Sequence, residues 1–185
     1  MPELSDEAIA EQVQKGDREA FGLIIERYEE KLLRYGRRFH ADREDIRDLV
    51  QDVFIKAYMN IQSFDPKRRL SPWIYRIAHN EFVNAVKKRI RNPLSYFDFD
   101  TILPHAAKTE TLLDDISRQE LKRVIEGNLK QLDEKYREPL ILYYFEEMEY
   151  KEIADILQIP MSTVGVRLQR GKMALKRLLP KETDV

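Results

Sequence analysis

Arg167, Gln169, Arg170, Lys172, Lys176 and Arg177 crowd together near the C-terminus with no acid among them. Arginine and glutamine can make paired hydrogen bonds to guanine and adenine edges. The remaining cations suit phosphate oxygens. A second set lies upstream: Lys67, Arg68, Arg69, Arg76, Lys87, Lys88, Arg89 and Arg91 face a single acid, Glu81, across residues 67–91. Trp73, Tyr75, Asn80 and Asn84 are interleaved with them. Flat rings among cations suit single-stranded DNA, whose unstacked bases need surfaces and whose backbone needs charge. A third set is of opposite sign, with Asp42, Glu44, Asp45, Asp48 and Asp52 making a poor DNA surface and a candidate protein-docking one. All three chemistries are recognition, and none makes or breaks bonds. There is no cysteine, and His40, His79 and His105 are scattered. Nor is there a phosphate-binding glycine loop. The reading is therefore a non-enzyme with no cofactor and no metal.

The elements that must carry these residues are helical almost throughout. Phe21, Ile25, Tyr28, Leu32, Tyr35 and Phe39 form one apolar stripe, and Ile46, Leu49, Val50, Val53, Ala57 and Ile61 a second. Ser71-Pro72 reads as a cap and first helical residue, followed by Ile74, Ile77, Ala78, Phe82, Ala85 and Val86 as an inner face. Periodicity fails between Asn92 and Glu110, which holds two prolines and scattered aromatics. It resumes from about Thr111 with Leu113, Ile116, Leu121, Val124, Ile125 and Leu132. The expected architecture is all-α: two small helical domains, residues 1–91 and 119–185, joined by a flexible linker, 92–118.

Residues 149–172 or so have the layout of a helix-turn-helix. Ile153, Ala154 and Leu157 mark the first helix. Gln158-Ile159-Pro160 breaks it, and Ser162 or Thr163 offers a cap for the second. There Val164, Leu168, Gly171, Leu175 and Leu178 should face inward, with Gly171 allowing close approach of a neighbouring helix. Val166, Gln169, Arg170 and Met173 should face outward. Such a second helix enters the major groove N-terminus first. The plainer readings stand beside these: a helical hairpin with a solvated basic face, Trp73 as a core residue, and the acidic helix as solvated surface.

With 185 residues and a net charge of −1, the basic signal is local. No apolar run reaches the roughly 20 residues of a membrane span, and MPELSDEAIAEQ lacks the parts of a signal peptide. A cytoplasmic protein without membrane insertion is expected.

Four stretches in this order resemble the bacterial extracytoplasmic-function (ECF) sigma factors of the sigma-70 superfamily: QKGDREAFGLIIERY (Gln14 to Tyr28), DLVQDVFIKAY (Asp48 to Tyr58), SFDPKRRLSPWIYRIAHN (Ser63 to Asn80) and YKEIADILQIPMSTVGVRLQRGKMAL (Tyr150 to Leu175). The resemblance implies a sigma-2 domain whose Asp48, Gln51, Asp52, Phe54 and Ile55 dock on the clamp helices of core RNA polymerase. It implies that the loop Phe64 to Leu70 and the helix after it take the promoter −10 element, through Phe64, Arg69, Ser71, Tyr75, Arg76, Asn80, Asn84, Lys87 and Lys88. The linker would pass through the polymerase toward the RNA path. A sigma-4 domain would read the −35 element with Ser162, Thr163, Gly165, Val166, Gln169 and Arg170, with Arg167 on the backbone, and would meet the polymerase flap. An anti-sigma factor, membrane-anchored, would cover the DNA-binding faces in a stress response. Gly165 and Val166 depart from the basic residue and Ser or Thr common in the family. Val166 is suited to a thymine methyl, and Gly165 costs about 1 kcal/mol of helix stability. A stand-alone helix-turn-helix repressor is the rival from another class, and it would bind a palindrome without polymerase. A purely interacting helical protein is the third reading, and it would show no salt-dependent DNA affinity.

Overall fold

The computed structural model describes residues 4–39, 43–91, 128–129 and 131–178. Among them every regular element is a helix, and the helices form two compact units. The first holds α1 (Asp6–Gln14), α2 (Phe21–Gly36), α3 (Arg43–Asn60) and α4 (Leu70–Arg91), with 3-10 turns at Arg37–Phe39 and Ile61–Ser63. The second holds α5 (Glu134–Tyr144), α6 (Tyr150–Leu157) as far as Ala154, and α7 (Met161–Leu178). The expected linker, and the apolar positions from Leu113 to Ile125, lie outside the described residues.

In the first unit, local chemistry sets the helix starts. The Ser5 hydroxyl accepts the Ala8 N–H and opens α1. Gly16 turns the chain at φ 106°, a conformation that disfavours any Cβ. The Asp17 carboxylate then accepts the N–H groups of Glu19 and Ala20, launching α2. Phe21, Ile24, Tyr28, Leu32 and Tyr35 are buried on α2. Ile25, expected in that stripe, is 36% exposed, and Ile24 takes its place. Both positions satisfy helical periodicity, and the packing of α2 against α1, α3 and α4 selects between them. The heart of the unit is aromatic. Tyr35 meets Phe39 and Tyr75 edge-on, at 5.3 Å in each case, and Phe39 lies 5.2 Å from Phe82. Such ring pairs add about 0.5–1.5 kcal/mol each beyond their burial. They fasten α4 to the end of α2. Leu70, Ile74, Tyr75, Ala78 and Phe82 make the inner face of α4, all at 1% exposure or less.

In the second unit, Asp133 caps α5 by accepting the Lys135 N–H. Leu140, Ile141, Leu142, Met148, Ile153, Val164 and Leu168 build the core. Ile156 is fully buried where Leu157 was expected, and Leu157 is half-buried. Gln158 takes a left-handed φ of 54° to make the turn between α6 and α7. The second helix begins at Met161, with the Pro160 carbonyl accepting the N–H groups of Thr163 and Val164. Ser162 and Thr163 therefore lie in its first turn and do not cap it. Leu178, expected to face inward, is 37% exposed near the far end of α7.

Two glycines set the interhelical distances. A Cβ on Gly171 would lie 2.9 Å from Leu140 Cδ1 and 3.2 Å from the Tyr136 carbonyl of α5. A Cβ on Gly36 would lie 2.9 Å from Ile46 Cγ2 and 3.0 Å from Phe82 Cζ. Gly165 differs, since its Cβ would meet only Tyr150 Cε2, at an ordinary 3.6 Å. In urea unfolding, Gly36→Ala and Gly171→Ala should each lose about 1–3 kcal/mol through overpacking. Gly165→Ala should gain up to about 1 kcal/mol from helix propensity.

Candidate nucleic-acid interface

With the inner face of α4 held by the aromatic cluster, its outer face is determined. Arg76, Asn80, Asn84, Lys87 and Lys88 are all exposed and follow one another at helical spacing, forming a single strip of cations and carboxamides. Glu81, the one acid of residues 67–91, does not dilute this strip. It is turned toward α3, where Lys56 Nζ lies 2.5 Å from its carboxylate. Arg69 is also exposed, in the loop leading to α4 beside Lys67 and Arg68.

Of the residues expected to touch DNA on this side, Tyr75 and Phe64 are buried and Ser71 is half-buried. Tyr75 is 1% exposed in the aromatic cluster, so its ring is core. Phe64 is 4% exposed and stacks obliquely on Trp73 with ring centroids 5.4 Å apart. Ser71 is half-buried and hydrogen-bonds the Tyr28 oxygen. Trp73 is itself half-buried. The aromatic residues of this stretch mainly build the platform, and the amides and cations are what it displays. A ring next to a basic residue in sequence carries no information on which of the two faces solvent, and α4's helical phase decides it.

On α3, Asp48, Gln51, Asp52 and Ile55 are exposed along one strip. Phe54 is 7% exposed and points into the core, so it supports this strip from beneath. Sequence reading stopped at Ile55, yet Met59 is 74% and Tyr58 38% exposed. Met59 continues the strip at i+4 from Ile55, a signal that was available in the spacing. The α3 surface is thus acidic at one end and apolar at the other.

On α7, Val164, Leu168 and Gly171 face inward as expected. Ser162, Val166, Gln169, Arg170 and Met173 are exposed at helical spacing, and Thr163, Gly165 and Arg167 flank that face at intermediate exposure. The α7 surface offers an amide, a guanidinium and two apolar tips within about two turns. Sequence reading also missed an open cavity of about 750 Å³ in this unit, lined among the described residues by Leu129, Leu140, Tyr144, Phe145, Met173 and Leu175, with Lys172 and Lys176 at its edge. Its residues come from separate elements, so no single stretch announces it. Among the described residues no group of His, Cys, Asp and Glu is placed to hold a metal.

Two family models match the chain. Residues 24–92 match the family model Sigma-70 region 2, and residues 123–175 match Sigma-70, region 4. The chain is 35% identical over 176 residues to the ECF RNA polymerase sigma factor SigW of Bacillus subtilis, covering 91% of this chain and 93% of that one. It is 33% identical over 180 residues to the ECF RNA polymerase sigma-E factor of Escherichia coli, covering 94% and 93%. Among solved structures, CnrH in complex with the cytosolic domain of CnrY superposes with a TM-score of 0.68 at 27% identity, covering 96% of this chain and 99% of that one.

If the α4 strip meets nucleic-acid phosphates, Lys87→Ala combined with Lys88→Ala should flatten the salt dependence of single-stranded DNA binding. The slope of log affinity against log salt should fall by up to about 1.4. Titration at several salt concentrations measures it, and an unchanged slope would place these lysines away from the backbone.

Proposed function

Because this chain belongs to the ECF sigma factors of the sigma-70 superfamily, we propose that it divides its sigma-factor work among three surfaces as follows. Residues 1–91 dock on core polymerase and take the −10 element, and residues 119–185 read the −35 element. As a sigma factor it acts with core RNA polymerase to direct transcription initiation at promoters. The observation that carries the division is the outer face of α4, where Arg76, Asn80, Asn84, Lys87 and Lys88 stand exposed while Glu81 is drawn off by Lys56.

On this reading Asn80 and Asn84 present paired donors and acceptors to exposed base edges, while Arg69, Arg76, Lys87 and Lys88 hold the backbone. Melting needs no bond chemistry. A step of duplex is worth roughly 1.4 kcal/mol, so a few captured bases offset the opening of a short bubble once polymerase adds its own contacts. Phe64, Ser71 and Tyr75 shape this surface from beneath. Asp48, Gln51, Asp52 and Ile55 on α3 dock on the clamp helices, with Phe54 beneath them and Met59 extending the contact. On α7, Gln169 and Arg170 read −35 base edges, Val166 meets a thymine methyl, and Ser162, Thr163 and Arg167 hold phosphates. The apolar cavity between α5 and α7 suits the flap of the polymerase. The protein works in the cytoplasm, where the polymerase is, and no described helix is long and apolar enough to cross a membrane. An anti-sigma factor that covers these faces, in an envelope or other stress response, belongs to the same proposal. CnrH held by the cytosolic domain of CnrY supports it.

Run-off transcription with core polymerase across a randomised promoter library tests the whole reading and should return both element sequences. Arg170→Ala should relax selection at one −35 position, by about 1–3 kcal/mol of discrimination, and leave core affinity intact. Asp48→Ala with Gln51→Ala should weaken core binding and leave promoter preference alone. If that pair bound core polymerase as the wild type does, the docking assignment on α3 would be wrong.

A further inference from the structure

The segment from Ile61 to Arg69 joins α3 to α4 and carries Phe64 and Arg69. Its two ends are held by one short helix, α1, which lies ahead of the region 2 match that begins at residue 24. At the C-terminal end of α1, Gln14 Nε2 donates to the carbonyl oxygens of Ile61 and Phe64, at 2.7 and 2.8 Å. Gln62 Nε2 returns a bond to the Gln14 carbonyl at 3.1 Å. At its N-terminal end, the Glu7 carboxylate accepts the Leu70 N–H at 3.0 Å. That N–H opens α4 and has no partner within the helix, so Glu7 supplies from a distant part of the chain both an acceptor and a negative charge at the positive end of α4. Asp6, beside it, accepts hydrogen bonds from the Tyr28 hydroxyl and from Arg27 Nη1. Burial and the Asp6 carboxylate push the Tyr28 phenol well above its ordinary range, so it remains a donor. Ser71 completes the chain through its bond to Tyr28.

We propose that α1 is a splint for the −10 surface, in which Gln14 and Glu7 are positioning residues that set the loop Ile61–Leu70 and the first turn of α4 in register with the amide and cation strip. The proposal rests on the assignment of that strip to the −10 element. A loop of this length, bounded by two helix ends, would otherwise sample many conformations, and ordering it only on binding would cost affinity for the captured strand. Hydrogen bonds to three backbone groups, made before DNA arrives, move that cost into folding. The side chains of Gln14 and Glu7 need never touch DNA or polymerase.

The test uses holoenzyme assembled from full-length protein and core polymerase. The probe is a fluorescein-labelled single-stranded oligonucleotide carrying the −10 sequence selected from the promoter library. Gln14→Met keeps the side chain's volume and removes both donors, and Glu7→Leu removes the acceptor. Each should weaken oligonucleotide binding about five- to tenfold and leave core affinity within about twofold. Glu7→Gln retains an acceptor for the Leu70 N–H and should stay within about threefold of wild type. In the free protein, amide hydrogen exchange should speed up across residues 61–70 and stay unchanged in α2. Asn80→Ala with Asn84→Ala is the control for the underlying assignment. If that pair weakens binding while Gln14→Met and Glu7→Leu do not, the splint is wrong and the −10 assignment stands. If the asparagine pair also binds normally, the −10 assignment fails and the splint with it. Equal losses of core affinity and oligonucleotide affinity, with faster exchange in α2, would mean that α1 only stabilises the fold, and would overturn the positioning role.

Discussion

The clasp of Tyr35, Phe39, Tyr75 and Phe82 between α2 and α4 is the interaction on which the rest of the first unit depends. It fixes the rotation of α4 about its own axis. A helix has one phase, so once Tyr75 and Phe82 are inside, Arg76, Asn80, Asn84 and Lys87 must be outside. Gly36 makes the clasp possible by letting Ile46 and Phe82 come within reach of its Cα, where any side chain would hold them off. Burial and display are therefore one decision. The energy that fastens α4 is spent on rings, and the polar groups on the opposite side are left free of packing duty.

The same logic operates in the second unit with different parts. Val164, Leu168 and Gly171 give α7 its phase, and Gly171 sets its distance from α5 through Leu140 and the Tyr136 carbonyl. Ser162, Val166, Gln169 and Arg170 then occupy the outer face. Gly165 has room for a methyl group and serves no close approach. Its presence lowers helix stability without a packing return, near the N-terminal end of α7.

Charge in this near-neutral chain is sorted by helix. Asp48 and Asp52 on α3, the cations of α4 and the cations of α7 never share a strip, and where an acid intrudes on α4 it is neutralised by Lys56 from α3. A basic strip and an acidic strip kept on separate helices can then meet partners of opposite charge independently. This is the physical content of a subunit that meets polymerase and promoter at once.

The amino-acid sequence by itself determined the helices, the two-unit plan, the inward Val164, Leu168 and Gly171, and the sorting of charge. These follow from periodicity and composition, which are local and survive in a linear reading. The roles of the aromatic residues were not legible. Phe64 and Tyr75 sit among basic residues and read as display, yet their rings are core, because only the packing of α2 on α4 chooses the phase. Ile24 replaced Ile25, and Ile156 replaced Leu157, because periodicity allows either neighbour and packing selects one. The cap of α4 was read as Ser71, a local answer, and the acceptor at its N-terminus is Glu7, more than 60 residues earlier in the chain. Tertiary structure alone decided this, because a helix's first N–H groups can be satisfied by any acceptor that folding brings within reach, and sequence separation places no limit on which one it is.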